Sequence, residues 1–238
     1  MTPLVLASLA AQARREHLLP AVLKSIRPQV DRLCVYLNGW SRVPDCVSDF
    51  ADDHVLAAEN TGAERKLHWA DQWEGFYFSA DDDLLYPPNY AERMLEALAH
   101  TRGRAIVTVH GRVYLGRPKS VHDVAPDGIG HYDRNVPCGR PVNHGGTGVM
   151  AWDTQQIQVP TQFEHQNMAD LQLAVWAQQH AVPMWLLKHE AGWVKTLAAL
   201  DPDGLFRTSQ RSNHARRNDL LKQQGARQPW RLFELPTA

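Results

Sequence analysis

The stretch Gly75–Phe76–Tyr77–Phe78–Ser79–Ala80–Asp81–Asp82–Asp83–Leu84–Leu85–Tyr86–Pro87–Pro88 decides how this chain is read. Its first half is an apolar run of strand length, and the proline pair interrupts regular structure soon after it. Three carboxylates therefore stand where a strand of an open α/β sheet ends, the rim at which such sheets bind ligands. Carboxylates crowded this closely raise one another's pKa unless a cation neutralises them. Hard oxygen ligands of this kind suit magnesium or manganese, which join protein carboxylates to a substrate's phosphates. The bland alternative is a solvated acidic turn. The strand before the triplet and the prolines after it favour a metal–phosphate site.

Strand and helix patterns alternate on either side of this stretch. Leu4–Leu9 reads as a buried strand, and Leu18, Leu19, Val22, Leu23 and Ile26 follow at helical spacing. Arg32–Asn38 is a second strand, closed by the turn pair Asn38–Gly39, and His54–Ala58 a third. The Glu59–Gly62 loop leads into Ala63–Trp73, which reads as helical, and Tyr90–Ala99 is a helix by propensity. Ala105–Val109, Gly148–Trp152 and Val182–Leu187 are further strands, and Asn167–His180 an amphipathic helix. The stretch from Tyr114 to His144, rich in Gly, Pro, His and Asp, reads as one long irregular loop of the kind that is functional or mobile. The alternation predicts an α/β domain with an open, mostly parallel, twisted sheet flanked by helices. That domain spans residues 1–200. Residues 201–238 form a basic C-terminal extension, packed on the domain or trailing from it, in which Arg207, Arg211, Arg216, Arg217, Lys222, Arg227 and Arg231 outnumber the acids. It reads as a surface for phosphate or an anionic partner, or as a solvated helix.

Composition narrows the function. A chain of 238 residues buries a full core without disulfides or a structural metal. A net charge of −1 argues against generic nucleic-acid binding. Cys34, Cys46 and Cys138 form neither a disulfide framework nor a zinc motif, which points to a reducing cytoplasm. The apolar N-terminus has its arginines, Arg14 and Arg15, on the wrong side for a secretory signal. No run approaches the roughly 20 apolar residues that cross a bilayer, so peripheral contact with a membrane's inner face is the most that is expected. His110, His122, His131 and His144 match no familiar zinc spacing.

Four stretches together resemble the GT-A glycosyltransferases, and within them the family 2-like enzymes of bacterial surface polysaccharides. They are Ala7–Ser8–Leu9 running on to Arg14–Arg15, Thr61–Gly62–Ala63–Glu64–Arg65–Lys66, Phe78–Tyr90 with its aspartates, and His144–Gly145–Gly146–Thr147–Gly148 with Asp170–Leu171 beyond. The aspartate stretch is the most specific, and the resemblance covers Pro3 to Lys195. It implies a nucleotide-sugar donor, UDP-linked, a Mn2+ or Mg2+ ion, a glycan or lipid-linked acceptor hydroxyl, and hexosyl transfer with inversion. By similarity to the family's Asp-x-Asp motif, Asp83 is the main metal ligand and Asp81 meets the ribose or a metal-bound water. Asp82 is an auxiliary on the nucleotide side, and His189 a third metal ligand by analogy. Ser8, Arg14 and Lys66 are likewise carried over to the nucleotide side, with Arg15 as an alternative to Arg14. Asp170 corresponds to the family's base, with Glu164 as the fallback. An Asp at a helix start is also an ordinary cap, and Lys66 alone is also a surface lysine. Trp152 and Trp193 are either sugar platforms or core. Two other classes compete. A sugar nucleotidyltransferase needs a glycine-rich loop after the first strand, which Ser8–Leu9–Ala10–Ala11–Gln12 lacks. A non-catalytic nucleotide- or glycan-binding module would not need both the triplet and Asp170.

Overall fold

Every residue of the first strand, β1 (Val5–Gln12), is buried, as a strand covered on both faces must be. In the computed structural model, which describes residues 3–197 and 214–235, it lies near the middle of the main sheet. The remaining strands, in chain order, are β2 (Arg32–Asn38), β3 (Asp53–Ala57), β4 (Phe76–Asp81), β5 (Leu84–Leu85), β6 (Ile106–Thr108) and β7 (Gly111–Arg112). They continue with β8 (Ile129–Gly130), β9 (Arg140–Val142), β10 (His144–Gly145), β11 (Val149–Asp153), β12 (Met184–Leu186) and β13 (Lys195–Thr196). The helices are α1 (Leu19–Ile26), α2 (Asp45–Phe50), α3 (Tyr90–His100), α4 (Ala169–Gln179) and α5 (His214–Arg227).

Eight strands form one sheet in the order β3-β2-β1-β4-β11-β6-β12-β9. β3, β2, β1 and β4 run parallel. β11 then lies antiparallel between β4 and β6, β12 is parallel to β6, and β9 closes the far edge antiparallel. The fold is thus a mixed, mostly parallel α/β sheet. Successive β1 residues serve opposite faces, as strand geometry requires. Ala7, Leu9 and Ala11 pack with Leu23 of α1 and Met94 of α3 on one face, while Leu6 and Ala10 pack with Tyr77, Trp152 and Leu173 on the other.

Two expectations change. The Tyr114–His144 segment holds β8 and β9: β8 joins β7 and β10 in a small antiparallel sheet, and β9 edges the main one. Strands of two or three residues have no period for a sequence pattern to reveal. Ala63–Trp73 is a 3-10 turn over Ala63–Leu67 followed by irregular turns, with Glu64, Lys66 and Leu67 all buried. Here tertiary burial, not helical propensity, sets the backbone.

The described part of the basic extension packs on the domain. Tyr114, Met168, Leu171, Leu221 and Trp230 form a third cluster joining α4 to α5. Trp230 is 1% exposed, its indole N–H donates to the Leu221 carbonyl at 3.1 Å, and its ring meets Tyr114 edge-on. The arginines Arg207 and Arg211 lie outside the described residues. Among the described residues, no helix is long and apolar enough to cross a membrane. Trp230→Ala is expected to cost about 3–5 kcal/mol, measured as a lowered urea midpoint with faster proteolysis of α5.

Candidate active site

The three aspartates leave β4 in different directions. Asp82 turns inward: its side chain is 4% exposed and pairs with the Arg15 guanidinium, and it accepts the Gln12 backbone N–H at 2.8 Å. A second Arg15 nitrogen lies 3.0 Å from the Asp83 carboxylate. Asp81 pairs with the ammonium of Lys66, which is itself buried. The Tyr86 hydroxyl accepts the Asp81 N–H at 2.8 Å and donates to the Gly148 carbonyl at 2.8 Å. Tyr86, three residues past the last aspartate, thus clamps the end of β4 to the residue before β11. Gly148 has no room for a side chain, because a Cβ there would stand 1.9 Å from an Asp81 carboxylate oxygen.

Burial dominates the local titration. It pushes Asp83 up to about 7, with Asp81 adding to the rise and Arg15 opposing it. It raises Asp82 as well, against the pull of Arg15. Burial works against the charge on Lys66, but Asp81 outweighs it and the pKa rises, so the ammonium stays protonated.

Asp170 reaches the cavity from α4, beyond β11, and meets the loop that precedes that strand. It sits in the first turn of α4 but does not cap its own helix. Instead, its Oδ1 accepts the Thr147 backbone N–H at 2.9 Å and the Thr147 hydroxyl at 2.5 Å. Both bonds go to Oδ1, which leaves Oδ2 for an incoming hydroxyl. Burial raises the pKa of Asp170, while His144, the Thr147 bonds and Lys66 lower it, and the lowering wins. Its carboxylate is therefore ionised near neutral pH. Just before α4, Asn167 adopts a left-handed backbone, φ 59°. Its N–H donates to Glu64 at 3.0 Å and its side-chain oxygen accepts the Ala63 N–H at 3.1 Å. The Lys66 loop and the Asp170 helix are thereby tied together.

Asp81, Asp82, Asp83, Lys66, Arg15 and Asp170 line one cavity of about 880 Å³. So do His110, His122, His131 and His144, although their spacing carried no signature. Burial lowers His110 and His144 to about 3, which leaves both imidazoles neutral.

Other expected residues lie elsewhere. His189 is not brought to the aspartates: it is buried, and its ring nitrogens face the carbonyl oxygens of Leu187 at 2.8 Å and His131 at 3.1 Å. Ser8 is fully buried within β1, outside the cavity lining. Arg14 is exposed and donates to Gln12, whereas Arg15 lines the cavity. Glu164 is on the surface, its side chain 83% exposed. Trp152 is core, packed on Tyr77, and Trp193 lies under Arg93. Gln12, Thr147 and Arg217 were given no individual role in the site from sequence, although each lay in a stretch already singled out.

The donor set fits a divalent cation. Asp81 and Asp83 offer hard oxygens, and Asp83 is raised first by burial and then by the neighbouring Asp81, a rise that Arg15 and Lys66 only partly oppose. Among the described residues, no three His, Cys, Asp or Glu side chains form a group that could hold a metal. A cation there would complete its shell with water and substrate phosphate, as magnesium commonly does.

No family model matches the sequence, and no curated protein matches it. Among solved structures, the chain is similar to S. aureus TarS 1–349, with a TM-score of 0.50 and 13% identity over 80% of this chain and 59% of the other. The likeness is one of fold, a mostly parallel α/β sheet flanked by helices. A second structure of S. aureus TarS gives a TM-score of 0.49 and 11% identity, over 80% of this chain and 36% of that one. The chain thus spans about three-fifths of the length of the first structure.

Arg15→Met leaves the Asp82 and Asp83 carboxylates without their shared cation. A broken buried pair costs about 3–5 kcal/mol. Both pKa values are raised in the folded state, so that state holds more protons than the unfolded chain. The loss is therefore expected in full at pH 8 and to shrink as pH falls toward 5, measured by urea unfolding across that range.

Proposed function

We propose that the protein is a metal-dependent glycosyltransferase, similar to the family 2-like enzymes. In this reading it moves a hexosyl group from a UDP-sugar to a glycan or lipid-linked acceptor hydroxyl, with inversion. The observation that carries this reading is the meeting of Asp170 with the aspartate triplet and Lys66 in one cavity. The glycosyltransferase-like fold supports it.

Each chain residue then has a task. Asp170, fixed through one oxygen by Thr147, accepts the acceptor hydroxyl's proton as that oxygen bonds to the anomeric carbon. The bond between that carbon and the phosphate oxygen breaks on the opposite face, and the nucleoside diphosphate leaves with the electron pair. Lys66 supplies fixed positive charge beside Asp81, toward a diphosphate. Asp83 and Asp81 would hold Mn2+ or Mg2+, which supplies Lewis-acid stabilisation of the leaving phosphates. Arg15 and Asp82 are positioning residues that set the direction of Asp83. A route making bacterial surface polysaccharide, at the inner face of the membrane, is the setting we assign to this chemistry.

The test is incubation with a panel of nucleotide-sugars and manganese, following nucleoside diphosphate release. UDP is expected from at least one donor, and release from none of the UDP-sugars sinks the UDP assignment. With an acceptor found, Asp170→Asn is expected to lower kcat by about 10²–10⁴ while donor still binds. Asp83→Ala is expected to abolish the manganese dependence. Near-full transfer by Asp170→Asn would assign the base elsewhere.

A further inference from the structure

One part of the cavity carries positive charge that this mechanism does not use. Arg112 on β7 stands directly across the strand pair from His144 on β10, and Arg217 of α5 lines the same cavity. Neither guanidinium has a carboxylate at ion-pair distance among the described residues. Arg217 Nε and His144 Nδ1 are buried with no hydrogen-bond partner. His214, one turn before Arg217 on α5, packs on His122 with ring centroids 5.1 Å apart, and both line the cavity.

Asp170 is bonded to Thr147, three residues on from His144, whose cross-strand neighbour is Arg112, and Lys66 and Arg217 line the same cavity. With the donor's diphosphate at Lys66, the arginines at the His144 end of the cavity are left for an acceptor.

We infer that Arg112 and Arg217 bind a phosphate ester carried by the acceptor, holding its free hydroxyl toward Asp170. The inference rests on the glycosyltransferase reading, which alone makes this the acceptor side. A guanidinium offers a planar fork of donors that matches phosphate oxygens. Two such cations without carboxylate partners balance a doubly charged phosphate, whereas a single carboxylate would leave one of them uncompensated. The His144–Gly148 loop presents little side-chain bulk between the two ends, so a hydroxyl can approach the base.

The test is calorimetric titration of the full chain in EDTA, which removes cation-bridged binding at the aspartates. Glycerol 3-phosphate is the probe and glycerate its carboxylate counterpart. Glycerol 3-phosphate is expected to bind at least tenfold more tightly than glycerate, with affinity falling as salt rises. The Arg112→Gln/Arg217→Gln double variant is expected to weaken it at least tenfold. If the double variant fails to fold by circular dichroism, Arg112→Lys and Arg217→Gln singly carry the test, each with a loss of at least threefold. Wild-type binding by these variants overturns the inference, as does loss of binding in Lys66→Met with both arginines intact. Tighter binding of glycerate overturns the phosphate class. UDP binding with manganese, measured separately on the wild type, reads the donor end. UDP bound without glycerol 3-phosphate sinks this inference alone, and glycerol 3-phosphate bound without UDP overturns the assignment to an acceptor.

Discussion

The Asp82 carboxylate, buried against Arg15 and the Gln12 N–H, is the interaction on which the site's geometry depends. It joins the ends of β1 and β4, the two strands that supply the donor end of the cavity. Because Arg15 also reaches Asp83 at 3.0 Å, one guanidinium fixes the directions of two neighbouring carboxylates. Replacing such a pair with well-packed apolar groups is often neutral or stabilising, so stability alone does not explain it. What it adds is orientation. With Asp82 held against the end of β1, the turn leaves Asp81 and Asp83 to face Lys66 and the second Arg15 nitrogen along the cavity.

The second constraint is topological. Parallel strands β1, β2 and β4 all end at the same rim of the sheet, and a parallel neighbour would bring only another strand end there. β11 runs antiparallel to β4, with Val149 opposite Ala80, so it begins at the rim where β4 finishes. The residues before it, His144 to Gly148, are thereby delivered to the aspartates. Gly148 passes Asp81 where no side chain could, Tyr86 locks the crossing, and Thr147 turns its N–H and hydroxyl onto Asp170. The reversal of one strand thus brings Thr147, and through it Asp170, to the acids.

How much of this the sequence revealed follows from how locally each feature is encoded. The central strands were legible because continuous burial leaves a continuous apolar run: the expected Arg32–Asn38 is the observed β2. The acidic turn was legible as a cluster of carboxylates at a strand end, and Asp170 only as one of two readings, since an Asp at a helix start is also an ordinary cap. The choice between Arg14 and Arg15 was not, because it depends on the 3-10 turn at Ala13–Arg15, which buries one neighbour and exposes the other. His189 carried a plausible position, yet its ring nitrogens face the nearby Leu187 carbonyl and that of His131, 58 residues earlier in the chain. Arg217 was hidden among tail arginines. Only the packing of Leu221 and Trp230 against α4 and Tyr114 brings that one into the cavity.

Glu64 and Asn167 show why the two halves of the site cannot be treated separately. Asn38, at the end of β2, holds the loop through the Thr61 N–H at 2.8 Å and the Gly62 carbonyl at 2.9 Å. The loop then holds Asn167 through Glu64 and Ala63. Asn167 pays for this with a left-handed backbone, a conformation asparagine tolerates better than most residues. Burial raises the pKa of Glu64, with its backbone bonds opposing the rise, so its place among apolar neighbours is held by hydrogen bonds rather than by a cation. The chain from Asn38 to Asn167 ends three residues before Asp170. A displacement of the Lys66 loop is therefore passed through the same bonds to the helix start that carries Asp170. The placing of Lys66 and the placing of Asp170 are coupled by this network.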